Sequence, residues 1–259
     1  MNQMLSSSEE VEDLTRAFDN GDLCLHYQPQ VDVGPPWPVI VGHEALLRWQ
    51  LPDGRFARPD RIIPTAEACG LVTALDVWVI GTVCEEMAWT QTTGGGHCPR
   101  MSANVSTQQF GQTDFAPVVA GILSRTGIDP ACLTLEITER AVLEQDETTL
   151  GNIHALREMG VALALDDFGT GYSSLFHLRG LPIQEIKLDR SFVSGIPHGH
   201  RDAAIVSATI DLAAELNLRV VAEGVELARQ AEWLRMKGCT LIQGFLYGRP
   251  MARLRQVAT

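Results

Sequence analysis

Two adjacent aspartates, Asp166 and Asp167, end an apolar run in the segment ALALDDFGTGYSSL (162–175) and lead into a glycine-containing loop. Neighbouring carboxylates repel each other, and at the end of a buried strand little water screens that repulsion. A bound cation, a shared proton or exposure to solvent could each offset the cost. The chemistry that this pair can perform depends on which of the three applies.

Other polar residues recur near the ends of separate apolar runs. In each run they alternate in sequence with the bulky apolar residues. Because side chains alternate faces along a strand, these residues would share the inner face of a closed sheet. Any one of these residues, taken alone, would more often be a solvated strand end or a hydrogen-bonded core residue. Because they occupy equivalent positions in successive strands, together they indicate one site. The set is Glu44, Asn104, Glu136, Asp166, Lys187, Glu223 and Gln243, with Asp167 on the rim.

The elements that must position this set are eight strand-like segments separated mostly by helical patterns. We predict strands at 23–31, 39–49, 100–106, 133–139, 161–167, 185–192, 219–225 and 240–245, and helices at 65–90, 115–126, 144–159, 200–216 and 228–237. This alternation predicts an α/β fold, a (β/α)8 barrel of the TIM type, whose active sites lie at the carboxyl ends of the strands. Only DVGPPWP joins the first two strands, too short for a parallel crossover, so the first strand should run antiparallel to the others.

The donor set favours a particular class of metal. All the candidate ligands offer hard oxygen atoms and no cysteine or histidine joins them, which suits Mg²⁺ or Mn²⁺ better than Zn²⁺. Five carboxylates suit two ions, with Asp166 bridging them and Asp167 reaching one. Such a centre activates water and holds phosphoryl oxygens. Lys187, which has no evident partner besides the reacting groups, would stabilise developing negative charge or orient the water.

Composition narrows the function classes further. The chain has 259 residues and a formal net charge of −12, which argues against binding a nucleic acid polymer. No apolar run reaches membrane-spanning length and the first residues are polar and acidic, so we expect a cytoplasmic protein. No linker divides the chain, and we expect one barrel over 14–259 after an extension at 1–13. The scattered cysteines, expected to be reduced packing residues, are Cys24, Cys69, Cys84, Cys98, Cys132 and Cys239.

Eight short motifs in order resemble the EAL-domain family, which is named for the triplet seen here as Glu44-Ala45-Leu46. The motifs are YQPQVD (27–32), GHEALLRW (42–49), NVS (104–106), EITE (136–139), DDFGTGYSSL (166–175), KLDRSFV (187–193), AEGVE (222–226) and QGF (243–245). The resemblance covers the chain from about Leu14 to Met251. It implies a bacterial signalling enzyme, a phosphodiesterase that converts cyclic di-GMP to linear pGpG, in a barrel with an antiparallel first strand.

The resemblance also implies roles for individual residues. One Mg²⁺ or Mn²⁺ would be held by Glu44, Asn104, Glu136 and Asp166, and a second by Asp166, Asp167 and Glu223. Lys187 would contact the attacking water, with Glu44 and Glu223 as further catalytic residues. The implied substrate residues are Gln28, Leu46, Arg48, Asp189, Glu226 and Gln243. Glu139 would anchor the loop DDFGTGYSS, which in the family links the metal site to a homodimer interface.

Two other functions are compatible with parts of the pattern. The first is a receptor that binds cyclic di-GMP without hydrolysing it, as implied for family members that have lost metal ligands, but this chain retains every implied ligand. A glycosidase could use Glu139 and Glu223 as its two carboxylates, but it would need neither Asn104, the aspartate pair nor Lys187. Turnover with Mn²⁺ distinguishes the enzyme from the receptor, and inhibition by a chelator excludes the glycosidase. The longer bonds that Ca²⁺ prefers should make it an inhibitor.

Overall fold

The protein is described by a computed structural model, which covers residues 8–51, 53–57, 59–94, 96–139, 146–169 and 180–254. Eight strands close into a barrel in sequence order. They are β1 (Leu23–Asp32), β2 (Val39–Trp49), β3 (Met101–Asn104), β4 (Leu133–Thr138), β5 (Ala162–Phe168), β6 (Glu185–Leu188), β7 (Arg219–Ala222) and β8 (Leu241–Gln243). The strand β1 is antiparallel to both β2 and β8, and the remaining pairs are parallel. The predicted barrel with an antiparallel first strand is confirmed.

Helices surround the barrel. They are α1 (Ser8–Asn20), α2 (Pro59–Cys69), α3 (Val72–Thr93), α4 (Thr107–Phe110), α5 (Phe115–Thr126), α6 (Glu147–Glu158), α7 (Arg190–Val193), α8 (His200–Glu215) and α9 (Ala228–Met236), with a short 3₁₀ turn at Pro130–Cys132. In the part of the chain that is described, no helix is long and apolar enough to cross a membrane. The helix α1 runs across the predicted boundary between residues 13 and 14. The division of the chain into an extension and a barrel domain at that boundary remains a prediction.

The single helix predicted over 65–90 is wrong, because the chain forms two helices there. The first begins before Pro64, and Gly70 separates it from the second with a positive φ of 74°. Glycine adopts that left-handed conformation without the steric cost that a Cβ would add, so it ends a helix readily. The predicted strand at 185–192 is also too long, because β6 stops at Leu188 and α7 follows.

The apolar core lies between the outer face of the barrel and its helices. In β4, for example, Leu133, Leu135 and Ile137 are fully buried against this outer layer, while Glu136 between them has the opposite parity. A second, smaller core joins α1 and α2 to the start of α3 through residues such as Leu14, Ile62 and Val72. The bulky residues thus occupy the outer face, which leaves the polar residues for the barrel axis.

Candidate active site

A buried lysine lies at the centre of the polar residues. The side chain of Lys187, on β6, is 1% exposed. Its Nζ lies 2.6 Å from Glu136 Oε2 and 2.6 Å from Glu223 Oε1. The same atom lies 3.3 Å from Glu44 Oε1 and 3.6 Å from Asp166 Oδ1. The expectation that Lys187 lacks partners other than reacting groups is therefore wrong, because barrel closure brings carboxylates from four other strands or strand ends around it.

Two amides fix the orientation of Glu44. Asn104 Nδ2 donates a hydrogen bond of 2.8 Å to Glu44 Oε1, and Gln243 Nε2 donates to Glu44 Oε2. Gln243 Nε2 also lies 3.3 Å from Gln28 Oε1, and Gln28 Nε2 donates to the carbonyl oxygen of Gly248. Side chains from β3 and β8 thus hold both oxygens of Glu44. Gln28 on β1 contacts the Gln243 amide.

The charges of this cluster do not balance by themselves. One ammonium faces four carboxylates, which leaves three negative charges in excess if all of them ionise. Burial and then the charge of Glu44 raise the pKa of Glu136 well above its usual range, and burial raises the pKa of Glu223 to about 8. Burial also lowers the pKa of Lys187, but the carboxylates, Glu136 first, raise it well above its ordinary value. The site therefore needs either protons or additional cations.

The residues fit a divalent cation by their chemistry. The donors are carboxylate and amide oxygens, and Glu136 Oε1 is buried without a hydrogen-bond partner among the described residues. Within the described ranges no three Asp, Glu, His or Cys side chains are already arranged to hold an ion, since the carboxylates converge on the Lys187 ammonium instead. Mg²⁺ or Mn²⁺, which prefer oxygen ligands, could be held by Glu44, Asn104, Glu136, Asp166, Asp167 and Glu223.

Asp167 is held in an uncommon backbone conformation. Its φ is 54°, in the left-handed region, and its N–H donates a 2.9 Å hydrogen bond to Asp166 Oδ1. Burial, followed by the charge of Asp166, raises the pKa of the Asp167 carboxyl to about 6. Non-glycine residues in this region are uncommon and often mark functional sites. The two aspartates of the opening segment therefore lie at the carboxyl end of β5, and the charge of Asp166 acts on the Asp167 carboxyl.

Glu139 contacts the first part of the loop that follows. It comes directly after β4, is buried, and its Oε1 accepts a 2.7 Å hydrogen bond from the backbone N–H of Gly169. Thr170, Ser173 and Ser174, whose hydroxyls we expected to use the same acceptor, lie outside the described residues. A carboxylate that accepts from a backbone N–H makes a stronger hydrogen bond than a neutral acceptor does.

The implied substrate residues fall into two groups. Leu46 and Arg48 line a cavity of about 600 Å³ that also reaches Asn104, while Gln28 and Gln243 lie inside the barrel beside Glu44. The other two residues have structural contacts. Asp189 caps α7 by accepting from Ser191 N–H, and Glu226 pairs with Arg190 at 2.9 Å. Neither of them is among the residues that line the cavity, as far as the chain is described.

One residue that sequence reasoning missed is Asp76 on α3. It is buried, lines the same cavity and accepts hydrogen bonds from Ser106 N–H at 3.0 Å and Ser106 Oγ at 2.5 Å. Burial raises its pKa to about 6. The available signal was a carboxylate three residues before Val79 on the buried face of an apolar helix, where charged side chains are rare unless they are hydrogen-bonded.

A glycine beside Glu223 makes a testable contribution to the geometry. Gly224 has a positive φ of 65°, and a Cβ there would overlap the side chain of Arg190. We expect Gly224→Ala to displace the backbone that carries Glu223 and to lower turnover about tenfold to a hundredfold. Steady-state kinetics with a thermal melt measures this effect.

Gly21→Ala is the matched control for backbone strain. Gly21 also has a positive φ, of 77°, and it lies in the turn before β1. A Cβ added there would meet no atom of the described residues within 4 Å. This variant should lose stability while keeping its turnover. Equal turnover losses in the two variants would show that general strain, and not the contact with Arg190, accounts for the effect.

Comparison with known proteins gives a consistent result. The family profile described as EAL domain matches residues 11–250. The chain is 42% identical over 241 residues to the bifunctional diguanylate cyclase/cyclic di-GMP phosphodiesterase MucR of Pseudomonas aeruginosa, covering 92% of this chain and 34% of that protein. It is 39% identical over 240 residues to the cyclic di-GMP phosphodiesterase NbdA of the same species, a match that covers 93% of this chain and 30% of NbdA. The chain thus spans about a third of the length of these relatives.

Solved structures agree with the sequence comparison. The structure of the PaMucR phosphodiesterase in complex with c-di-GMP superimposes with a TM-score of 0.86 at 40% identity, covering 93% of this chain and 96% of that one. The EAL enzyme Bd1971 with cAMP and cyclic di-GMP bound gives a TM-score of 0.88 at 30% identity. This match covers 94% of this chain and 66% of the Bd1971 chain. Both likenesses extend over nearly the whole barrel.

Proposed function

The chain belongs to the EAL domain family, and we propose that it is a phosphodiesterase that hydrolyses cyclic di-GMP to linear pGpG in bacterial second-messenger signalling. The observation that carries this proposal is the buried Lys187 ammonium among the carboxylates of Glu44, Glu136, Asp166 and Glu223 at the carboxyl end of the barrel. Such a site can stabilise the negative charge of a reacting phosphodiester once the excess carboxylate charge is neutralised. We expect the enzyme to act in the cytoplasm.

The proposed metal ligands divide into two sets that share Asp166. Glu44, Asn104, Glu136 and Asp166 would hold one Mg²⁺ or Mn²⁺, and Asp166, Asp167 and Glu223 would hold the second. When bound, such ions lower the pKa of water and polarise phosphoryl oxygens. Two amides already orient Glu44, and the Asp167 N–H donates a hydrogen bond to Asp166 Oδ1. These contacts reduce the reorganisation that binding requires.

The protein's own groups would then act on the substrate. The Lys187 ammonium, held between Glu136 and Glu223, can donate to a phosphoryl oxygen or orient the attacking water as charge develops. Arg48 is half-buried on the wall of the cavity, and a guanidinium there can bind a phosphate or the acceptor edge of a guanine base. We also propose that further contacts with the substrate come from Gln28, Leu46, Asp189, Glu226 and Gln243. The same proposal includes a homodimer formed through the loop after Asp167.

Product analysis tests the proposal directly. The chain is incubated with cyclic di-GMP and Mn²⁺, and the products are separated and identified by mass. Formation of pGpG that stops in excess chelator supports the phosphodiesterase, and we expect Mg²⁺ to replace Mn²⁺ and Ca²⁺ to inhibit. Binding of cyclic di-GMP without turnover would instead identify a receptor. Turnover that is unchanged in the chelator would exclude the metal-dependent mechanism.

The charge imbalance predicts how cations change the pH dependence of stability. Glu223 titrates near 8 in the folded protein without metal and near 4.5 as a free side chain, so between these values the folded state binds more protons than the unfolded state. Stability should therefore fall as the pH rises towards 8. His43, whose pKa burial lowers to about 4, has the opposite effect, but only below about 6.5.

Thermal melts from pH 6.5 to pH 8 measure this dependence with a chelator and with Mg²⁺. We expect the melting temperature to decrease with pH in the chelator and to decrease less with Mg²⁺, because a bound cation replaces the proton on Glu223. Glu185→Gln, which alters a buried carboxylate paired with Arg219 at the other end of the barrel, should preserve this difference. Identical pH profiles with and without Mg²⁺ would contradict cation binding at the site.

A further inference from the structure

Two half-buried cysteines meet at the end of the barrel opposite to the proposed active site. Cys98 lies just before β3 and Cys132 just before β4. These strands are adjacent and parallel, with Met101 opposite Leu133. Both cysteines therefore lie at the amino ends of the strands. Residues 98 and 132 are 34 positions apart in sequence, and only the closure of the sheet makes them neighbours.

The two cysteines lie close together at this end of the barrel. Cys132 Sγ lies 3.9 Å from the carbonyl oxygen of Cys98, so the side chain of one cysteine reaches the backbone of the other. Cys98 Sγ also lies 3.8 Å from the carbonyl oxygen of Pro99. Neither residue belongs to the buried core, although both pack against it. Partial exposure gives a small reagent access, and the contact supplies a second thiol within reach of the first.

We propose that Cys98 and Cys132 form a redox-active thiol pair, which closes to a disulfide on reaction with an oxidised small-molecule disulfide such as oxidised glutathione. This site lies apart from the carboxylate cluster, and the proposal does not depend on the phosphodiesterase activity. It adds a chemical role to two of the cysteines that were expected to be mostly packing residues.

The exchange proceeds in two balanced steps. The thiolate of Cys132 attacks one sulfur of oxidised glutathione, which forms a mixed disulfide and releases one glutathione thiolate. The thiolate of Cys98 then attacks the Cys132 sulfur, which forms the bond between Cys98 and Cys132 and releases the second glutathione. The protein loses two protons and two electrons, and one oxidised glutathione becomes two reduced ones. An excess of reduced thiol reverses both steps.

The local environment determines the order of attack and its rate. Burial, and then the neighbouring Cys132 side chain, raise the pKa of the Cys98 thiol to about 12. A thiol that rarely ionises is a slow attacking group, so we assign Cys98 to the second, resolving attack. A third thiol, Cys84 on α3, is close enough to influence Cys98 but is fully buried, which denies it access to the oxidant.

The disulfide would also stabilise the fold. It would close a loop that contains β3, α4, α5 and the 3₁₀ turn, and it would link the starts of two neighbouring strands. A covalent link of this kind lowers the entropy of the unfolded chain, so the oxidised protein should melt several degrees higher than the reduced protein. The link lies at the strand ends opposite to Asn104 and Glu136.

Peptide mapping tests the proposal on the full chain. The protein is equilibrated with oxidised glutathione, free thiols are then alkylated, and peptides are identified by mass before and after treatment with dithiothreitol. We expect a cross-linked peptide that contains Cys98 and Cys132 and that dithiothreitol separates. Cys98→Ser and Cys132→Ser should each lose the cross-link and the rise in melting temperature, while their reduced forms melt close to the reduced parent.

Cys24→Ser is the control, because Cys24 is also half-buried but lies on β1, away from the pair. This variant should keep both the cross-link and the stabilisation. Glutathione that stays on Cys132 without forming the cross-link would overturn the proposal. A cross-link from either residue to Cys84 would overturn it as well, since the pair would then be wrongly assigned.

Discussion

Replacement of Lys187 by alanine should lower turnover by about two to three orders of magnitude while substrate binding persists. Lys187 is the buried cation that the carboxylates of Glu136 and Glu223 hold on either side. An interaction that strengthens as negative charge develops affects the transition state more than the ground state, so kcat should fall more than affinity.

Two measurements separate these effects. Calorimetry with cyclic di-GMP and Ca²⁺ gives affinity without turnover, and single-turnover kinetics with Mn²⁺ gives the rate of the chemical step. Lys237→Ala is the matched control, because Lys237 lies at the surface over the ring of Trp233. Loss of binding with an unchanged single-turnover rate in Lys187→Ala would make Lys187 a binding residue and not a catalytic one.

The same position tests the role of Lys187 in stability. Its removal leaves four buried or half-buried carboxylates without their ammonium, and uncompensated buried charge is strongly destabilising. We expect Lys187→Met, which retains most of the side-chain volume, to melt lower than the parent in a chelator and to recover with Mg²⁺. A loss of turnover that persists after this recovery is then a catalytic effect and not an effect of unfolding.

Glu139→Ala should also reduce turnover by orders of magnitude, through a different route. Glu139 holds the N–H of Gly169, two residues beyond Asp167, and Gly169 has a positive φ of 94°. Glycine-containing loops lose much conformational entropy when they become ordered, so a charged acceptor at this point can determine whether the loop is held. Without it, Asp167 should no longer be fixed beside Asp166, and the second cation would be held poorly.

The conservative variant Glu139→Gln separates positioning from general damage. Its amide oxygen can still accept from Gly169, so it should retain much more turnover than Glu139→Ala. The dependence of turnover on Mn²⁺ concentration supplies a readout that a purely structural role would not change, and we expect Glu139→Ala to need more Mn²⁺. Glu185→Ala controls for the loss of a buried carboxylate. Turnover close to the parent in a well-folded Glu139→Ala protein would show that the loop is positioned without this contact.

The main features of the fold could be predicted from local patterns. Alternation of apolar and polar residues along the strands indicated the inner face, and the short DVGPPWP connection indicated the direction of the first strand. Both properties depend on a few consecutive residues, so the sequence contains them completely. Helix boundaries were harder to predict, because the break at Gly70 depends on a single residue's backbone conformation within a continuous helical pattern.

The candidate site shows a similar division. Parity assigned Glu44, Glu136, Lys187 and Gln243 to one interior, and the structure brings their side chains into contact. Asp189, which the family resemblance implied as a substrate residue, has a carboxylate that caps α7. Parity applies only while the strand continues, and β6 ends before that residue, so no periodic signal could have located its side chain.

The sequence by itself determined the kinds of residues in the protein, their order and the face of the sheet to which each belongs. Only the tertiary structure decided that Lys187 lies among carboxylates, that Asp76 supports the segment after β3, and that Cys98 meets Cys132. The physical reason is range. Alternation and turn chemistry act over neighbouring residues, whereas distances between strands, burial and the resulting pKa shifts arise when the barrel closes and brings distant parts of the chain together.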